Sequence, residues 1–391
     1  MVLLLAMNKF LIIFILSTLI LSKAIAQDSI STMQKKLLFK GQLSSWAHYN
    51  PDNPYPLYLG GRYIPQLNFE LRHPKKRLLD FEASANIYGD VGIHFFDSAS
   101  ARGDIRPYRL WGRYSTEQFE ARIGLQKIDF GTANMLRALR WFDQIDPRDP
   151  LRLTEGVWGG LARYYFLNNI NIWFWTLYGN ENLKGLEAIE TNAAIPEFGG
   201  RVQMPVPRGE AGISYHHRVA DSRSYEGAIP SYSEIPENRI GIDAKWDLVV
   251  GLWLEAAWVT KSKDMNALTN QEVVTLGTDY TFGIGSGLYV VLEHMLVASD
   301  QVAFEFANTT NLTATSLMYP IGMFDNINAI FYYDWRNNSL YNFVNWYRQF
   351  DKTTLYVMGY WNPDNEQLPT AGAAENLYTG YGIQDMYVFN H

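Results

Sequence analysis

The sequence predicts an all-β chain, a single antiparallel up-and-down transmembrane β-barrel of about 18 strands, with 16 as the neighbouring count. Three observations predict it. Apolar residues recur with a period of two, which places them on one face of a strand. Connections alternate between short and long, and after residue 50 no linker, repeat or composition shift divides the chain. At 47% hydrophobic and 15% aromatic residues the chain is too apolar to stay disordered. Beyond the N-terminus, however, no stretch approaches the ~20 apolar residues that a spanning helix needs. The longest run, Val249 to Val259, is interrupted by Glu255.

The first element is an export signal over residues 1–26. A mostly apolar run from Leu11 to Leu21 follows Lys9, and Ala24 and Ala26 stand three and one positions before a cleavage point at Gln27. Starting at Met7 would give the expected order, with Met7-Asn8-Lys9 as the charged leader. Removal of residues 1–26 takes Lys9 and Lys23 with it and moves the net charge from -7 to -9. Residues 27–391 then form the barrel.

Within it, Tyr63, Pro65, Leu67, Phe69 and Leu71 alternate with Arg62, Gln66, Asn68, Glu70 and Arg72. After a turn at Pro74 to Arg77 the pattern resumes, with Leu79, Phe81, Ala83, Ala85 and Ile87 set against Asp80, Glu82, Ser84 and Asn86. The same reading holds for Phe119, Ala121, Ile123 and Leu125 against Glu120, Arg122 and Gln126, and for Ile240, Ile242, Ala244 and Trp246 against Arg239, Asp243 and Lys245. Short connections fall near 74–77, 115–118, 167–169, 207–209, 247–248, 283–287, 320–325 and 351–353. Longer ones fall near 51–60, 90–104, 131–155, 179–197, 220–236, 260–271, 297–311 and 362–377, and a short one at Asn337-Asn338 interrupts the series. These connections join 18 strands, with both termini on the short-turn side, the side expected to face the periplasm.

A soluble sandwich or propeller would also accept such hairpins, but it would split a chain of this length into separate cores. In lipid the sheet must close, because an open edge leaves backbone groups unsatisfied, and the apolar face must look outward. Tyr49, Tyr63, Tyr114, Tyr164, Phe166, Tyr178, Trp246 and Trp258 would then form the interfacial girdles.

The C-terminal run Tyr387-Val388-Phe389-Asn390-His391 resembles the terminal strand of bacterial outer-membrane barrels, which ends in alternating aromatics. A further resemblance lies in Arg122-Ile-Gly124-Leu-Gln126-Lys-Ile-Asp-Phe130-Gly131, followed by Trp141, Asp143, Asp146-Pro147-Arg148-Asp149-Pro150 and Glu155-Gly156. It is similar to the strand and long loop of Gram-negative outer-membrane porin families related to the alginate-export barrels. That resemblance covers about residues 105–180 and implies a diffusion channel in the outer membrane. The basic residues after the Gly-x-Gln strand depart from the alginate exporters, so polysaccharide export is not carried over. Read physically, Gly124 and Gly131 permit close packing, and Pro147 and Pro150 stiffen a loop able to fold inward.

Other chemistry is sparse. With no Cys there is no disulfide, thiolate metal site, cysteine nucleophile or lipid-modified N-terminal Cys. The charge of -7 speaks against a nucleic-acid partner. His216 and His217 are strand neighbours pointing to opposite faces, which cannot share a metal without a bulge. Gly283 to Gly287 joins two strands with no helix after it, so it reads as a turn rather than a phosphate loop. No serine stands out as a nucleophile beside a histidine, and the sequence therefore predicts no enzyme, catalytic residue, metal or cofactor.

The lumen face carries the remaining information. The strand phasing turns Arg62, Arg109, Arg113, Arg122, Arg163, Arg201, Arg218 and Arg239 inward over the first part of the barrel, and Glu255, Asp279, Glu293 and Asp334 over the later part. Sequence order is angular order in such a barrel, so a basic wall would face an acidic one and set up a transverse field. The competing reading pairs Arg62, Arg72, Glu70, Asp80, Glu82 and Glu120 locally inside a filled barrel. A constriction loop from Gly131 to Glu155 would set Asp143, Asp146 and Asp149 against the arginines. The expected partners are the lipid bilayer and small hydrophilic solutes. The expected activity is passive diffusion with a preference for anions. The alternative is a plugged structural or partner-binding barrel whose outer loops, such as Gly179 to Phe198, contact another protein or surface polysaccharide.

Overall fold

The computed structural model describes residues 33–363 and 381–390. The export signal and most of the connection expected near 362–377 lie outside the described residues. Strand order follows chain order: β1 (Gln34–Tyr49), β2 (Leu57–His73), β3 (Arg77–His94), β4 (Ser98–Ser115), β5 (Phe119–Gln126), β6 (Val157–Tyr165) and β7 (Asn171–Leu177). The two-residue β8 (Glu190–Thr191) precedes β9 (Glu197–Val206), β10 (Gly209–Asp221), β11 (Ile235–Asp247), β12 (Gly251–Lys261) and β13 (Asn270–Phe282). The chain closes with β14 (Leu288–Asp300), β15 (Thr309–Pro320), β16 (Asp325–Asp334), β17 (Ser339–Gln349), β18 (Thr353–Trp361) and β19 (Tyr381–Asn390).

Apart from β8, each strand pairs antiparallel with its neighbours in sequence, and β7 pairs directly with β9. Closure comes from β1 and β19, where Gln42 to Tyr49 pair with Asn390 to Ile383. β8 touches only Ala220 and Asp221 at the end of β10, so the wall is an 18-stranded barrel, the even number expected from the alternating connections. No helix of the described residues is long and apolar enough to cross a membrane.

Period two sorts the faces. Leu37, Leu67, Ile123, Phe174, Ile213 and Leu276 point outward and are exposed, whereas Ser44, Arg109, Ser214, Glu255 and Met295 point inward and are buried. At the long-loop end the expected connection over 90–104 is almost entirely strand. β3 and β4 run on to His94 and from Ser98, leaving Phe95 to Asp97 as the turn. Two facts favour this taller hairpin. The Asp90 carboxylate is held by Arg102 Nε at 2.8 and 2.9 Å, and Gly89 lies directly opposite Gly103.

The buried apolar cluster sits inside the barrel. Trp175, Leu177, Trp253, Val273, Met295, Leu312, Ile330, Tyr341, Phe343, Met358, Met386 and Val388 supply its wall, and the β5–β6 connection supplies its centre.

Candidate functional site: the lumen and the loop that crosses it

β5 ends on an inward turn. Gly124 has φ +123°, and a Cβ there would overlap the Leu110 carbonyl oxygen of β4, so only glycine fits this bend. The chain then enters the lumen. Ile128, Phe130, Met135, Leu136, Leu139, Trp141 and Phe142 are all buried. Phe130 stacks on Trp175 at 5.6 Å and lies under the Arg201 guanidinium at 5.2 Å, while Phe142 meets His216 edge-on at 4.9 Å.

Two carboxylates of the opposite wall hold the backbone of this segment. Glu255 accepts from Thr132 N–H, from Ala133 N–H at 2.7 Å and from Leu139 N–H at 3.1 Å. Glu293 accepts from Asn134 N–H at 2.6 Å, Met135 N–H at 2.9 Å and Leu136 N–H at 2.6 Å, and also from Trp253 Nε1 at 3.1 Å. Both carboxylates are completely buried. A buried anion ringed by N–H donors forms strong charge-assisted bonds, and removing the donors would leave it uncompensated.

The same loop then crosses back. Arg137 bridges Asp129 and Asp143, the latter at 3.0 Å. Arg148 folds onto Asp146, with Nη2 at 2.8 Å from its carboxylate. Asp149 accepts from Leu151 N–H at 3.0 Å and Leu153 N–H at 3.1 Å. Burial pushes the Asp149 carboxyl above its ordinary range, opposed by those two N–H groups and by Arg62. Burial likewise raises Asp143, opposed first by Arg137. Arg109 of β4 donates to the Thr154 carbonyl at 3.0 Å and the Glu155 carbonyl at 3.2 Å, which fixes the return to β6.

The arginines of the interior form local pairs in place of one opposed wall. Arg113 holds Asp80 at 2.7 Å and Glu120 at 3.4 Å. Arg122 reaches Glu120 at 3.1 Å and covers Trp111, and Arg163 stacks on Trp173 at 3.8 Å. Arg62 lies between Trp46 and Tyr88, 5.5 Å from each ring. Arg201 meets Asp243 in a two-pronged contact at 2.5 and 2.8 Å. On the later strands, Asp279 accepts from Tyr289 Oη at 2.8 Å. Asp334 caps the next turn through Arg336 N–H at 2.8 Å, so it serves the hairpin and not the lumen.

A second cluster lies at the long-loop end. Arg218 reaches Glu237 at 2.6 Å and Glu187 at 3.2 Å. Arg239 reaches Glu187 at 2.6 Å and Glu237 at 2.7 Å, and Lys261 reaches Glu237 at 3.3 Å. Burial alone would raise Glu187, but Arg218, Lys184 and Arg239 outweigh it and hold its carboxyl below the usual range. A cavity of about 40 Å³ lies here, walled by Arg140, Trp141, Arg218, Arg239, Lys261, Glu187 and Glu237 among others. Among the described residues the buried indole N–H of Trp141 has no partner. Sequence reading found the arginines but missed their partners. Glu237 and Asp243 were detectable, since they share the inward face of β11 with Arg239. Glu187 comes from a loop, where periodicity gives no signal.

His216 and His217 do face opposite ways. His216 contacts Glu197 and Trp175 inside, and His217 contacts Asn238 on the outer face. Among the described residues no cluster of His, Asp and Glu is placed to hold a metal ion.

No family model matches the sequence, and no curated protein matches it. Solved structures do match. OmpT of Vibrio cholerae, an outer membrane protein in trimer form, superposes with TM-score 0.52 at 9% identity, over 91% of this chain and 99% of that one. Salmonella typhi OmpF gives 0.50 at 8% identity, over 93% and 100%. Wzi of Escherichia coli, an outer membrane protein involved in group 1 capsule assembly and described as a carbohydrate-binding β-barrel, gives 0.50 at 10% identity, over 90% and 84%. At these identities the likeness is one of fold. The closed 18-stranded wall with its outward apolar face has the fold of an outer-membrane β-barrel. Its place is the outer membrane, in contact with the lipid bilayer.

Proposed function

We propose that this chain is a closed outer-membrane barrel that binds an acidic surface ligand at its long-loop mouth. The observation that carries the reading is the β5–β6 loop, drawn across the lumen by six backbone N–H bonds to Glu255 and Glu293. The apolar cluster around it would make an aqueous path costly to open. The cavity beside Trp141 supports the ligand class. Three cationic side chains, Arg218, Arg239 and Lys261, line it against the two carboxylates Glu187 and Glu237. A carboxylate or sulfate group of a surface polysaccharide would meet both the surplus positive charge and the Trp141 N–H. Wzi, described as carbohydrate-binding, offers a precedent within this fold.

A second reading keeps the channel: passive diffusion of small hydrophilic solutes with a preference for anions. The partly open strip of Arg113, Arg122 and Arg163, with side chains 26%, 15% and 17% exposed, favours it. In that reading Arg62, Arg109, Arg113, Arg122, Arg163, Arg201, Arg218, Arg239, Glu255, Asp279 and Glu293 line the pore, and Asp143, Asp146 and Asp149 constrict it. Kinship with the alginate-export barrels, carried by the Gly124 to Gly131 motif, belongs to this reading.

Purified protein in a planar bilayer separates the two. A silent bilayer, together with a galacturonate-dependent rise in thermal stability that galactose does not produce, supports the closed, ligand-binding barrel. Steady conductance steps from the unmodified protein overturn it in favour of the channel.

A further inference from the structure

The outward face of β19 reads Tyr381, Ile383, Asp385, Tyr387, Phe389. The four apolar members are exposed, and aromatic rings mark both ends of the column, so Asp385 stands at its centre, near the bilayer midplane. Ala47 of β1 lies beside it on one side and Val357 of β18 on the other. Among the described residues the Asp385 carboxylate has no hydrogen bond or ion pair. An ionisable group facing hydrocarbon is costly unless something in the membrane meets it. Small residues flank it, with Ser45 opposite Gly61 and Gly359 opposite Ile383, so another wall can approach closely.

A matching donor occurs elsewhere on the same surface. His294 sits on the outward face of β14, between Leu292 and Leu296. On the neighbouring β15, Thr313 Oγ1 accepts from Trp335 Nε1 at 2.9 Å and lies 2.9 Å from His294 Nδ1. Thr313 therefore engages the Nδ1 nitrogen of the His294 ring. Among the described residues Nε2 is then the ring nitrogen left for a partner, on the exposed outward face of β14. His294 lies six residues from the short-turn end of β14 and Asp385 five from that of β19, so the two stand at matching depth.

One barrel cannot bring them together, because both point outward and five strand steps separate β14 from β19. Two copies in the same membrane can. We propose that this barrel associates with copies of itself through a head-to-tail lateral contact, in which His294 Nε2–H of one copy donates to the Asp385 carboxylate of the next. Donor and acceptor patches differ, so each copy offers one of each and the contact is heterologous. The same chain supplies both complementary groups at one depth, which favours a second copy as the occupant. The proposal does not depend on whether the lumen conducts.

The absence of cysteine makes the test direct. Chains carrying H294C and chains carrying D385C are produced together, and isolated outer membranes are treated with a short thiol-to-thiol cross-linker. A dimer that needs both variants, with none from either variant alone, is the expected result. A dimer from D385C alone or H294C alone at equal yield, or monomer only, overturns the contact. As an independent measurement, native mass spectrometry of unmodified protein in nanodiscs should show species above one chain, and D385N and H294Q should each reduce them at least ten-fold. Unchanged assembly in both variants overturns the proposal.

Discussion

Gly131 passes against the carboxylate of Glu255, so closely that a Cβ at position 131 would overlap Oε1. Its φ of +107° is also one that side chains rarely tolerate. This meeting of a loop glycine with a wall carboxylate lets the next two N–H groups reach Glu255. Gly131→Ala should therefore loosen the loop, lowering stability by about 1–3 kcal/mol through strain and displaced bonds. Glu293→Ala removes the acceptor of three N–H groups and should do more. In a planar bilayer both variants are expected to conduct more than the unmodified protein. Silence from Glu293→Ala would mean that the apolar cluster alone seals the lumen.

The Arg201–Asp243 pair offers a test of the filled interior. Its side chains are 3% and 2% exposed, so either charge left alone would be stranded. Arg201→Met should cost roughly 3–5 kcal/mol, whereas Arg201→Met with Asp243→Leu should recover most of that loss. Denaturant unfolding in detergent micelles measures both. Equal losses in the single and double variants would show that the site is wet.

The outward phasing is open to the same treatment. Leu67 is 44% exposed on the lipid face, while Gln66 turns inward to Asn68 at 2.8 Å. Leu67→Arg should destabilise by about 2–4 kcal/mol near midplane, and Gln66→Arg by much less. Unfolding of each variant from lipid vesicles reports the difference, and equal costs would reverse the assignment of faces.

Particular residues show why the wall was legible in the sequence and the fastening of the inward loop was not. Leu67 and Gln66 announce their faces because a strand writes burial into alternate positions. The connection lengths carried the strand number for the same reason. At residues 90–104 the pattern failed because Gly89, Gly103 and a scatter of charges look like a loop, although the Asp90–Arg102 contact belongs to a hairpin. The fastening leaves still less trace. It joins backbone N–H groups, which every residue carries, to Glu255 and Glu293, more than a hundred residues away. Gly124 and Gly131 hinted at a close approach, and Pro147 and Pro150 at a loop able to fold inward, but nothing in the sequence named the two carboxylates that hold it. The inward arginines could be read from phasing, and so could Asp243 and Glu237 on β11, but Glu187 reaches them from a loop that periodicity does not mark.

Ion preference, once the loop is released, should follow the strip left on β2 to β6. There Arg62, Arg109, Arg113, Arg122 and Arg163 stand with Asp80, Glu82 and Glu120, a surplus of two positive charges. At an effective dielectric of ~40 and a distance of ~10 Å, one unpaired charge acts on a passing ion by roughly 0.8 kcal/mol, about four-fold in local concentration. Glu293→Ala should therefore conduct with a modest preference for anions. Adding Arg113→Ser and Arg122→Ser removes that surplus and strips Asp80 and Glu120 of their nearest cations, so the preference should vanish or turn toward cations. Zero-current potentials across a salt gradient read this directly. An unchanged potential after both substitutions would place the ion path away from the β2 to β6 strip, along the opposite wall that Glu293 vacates.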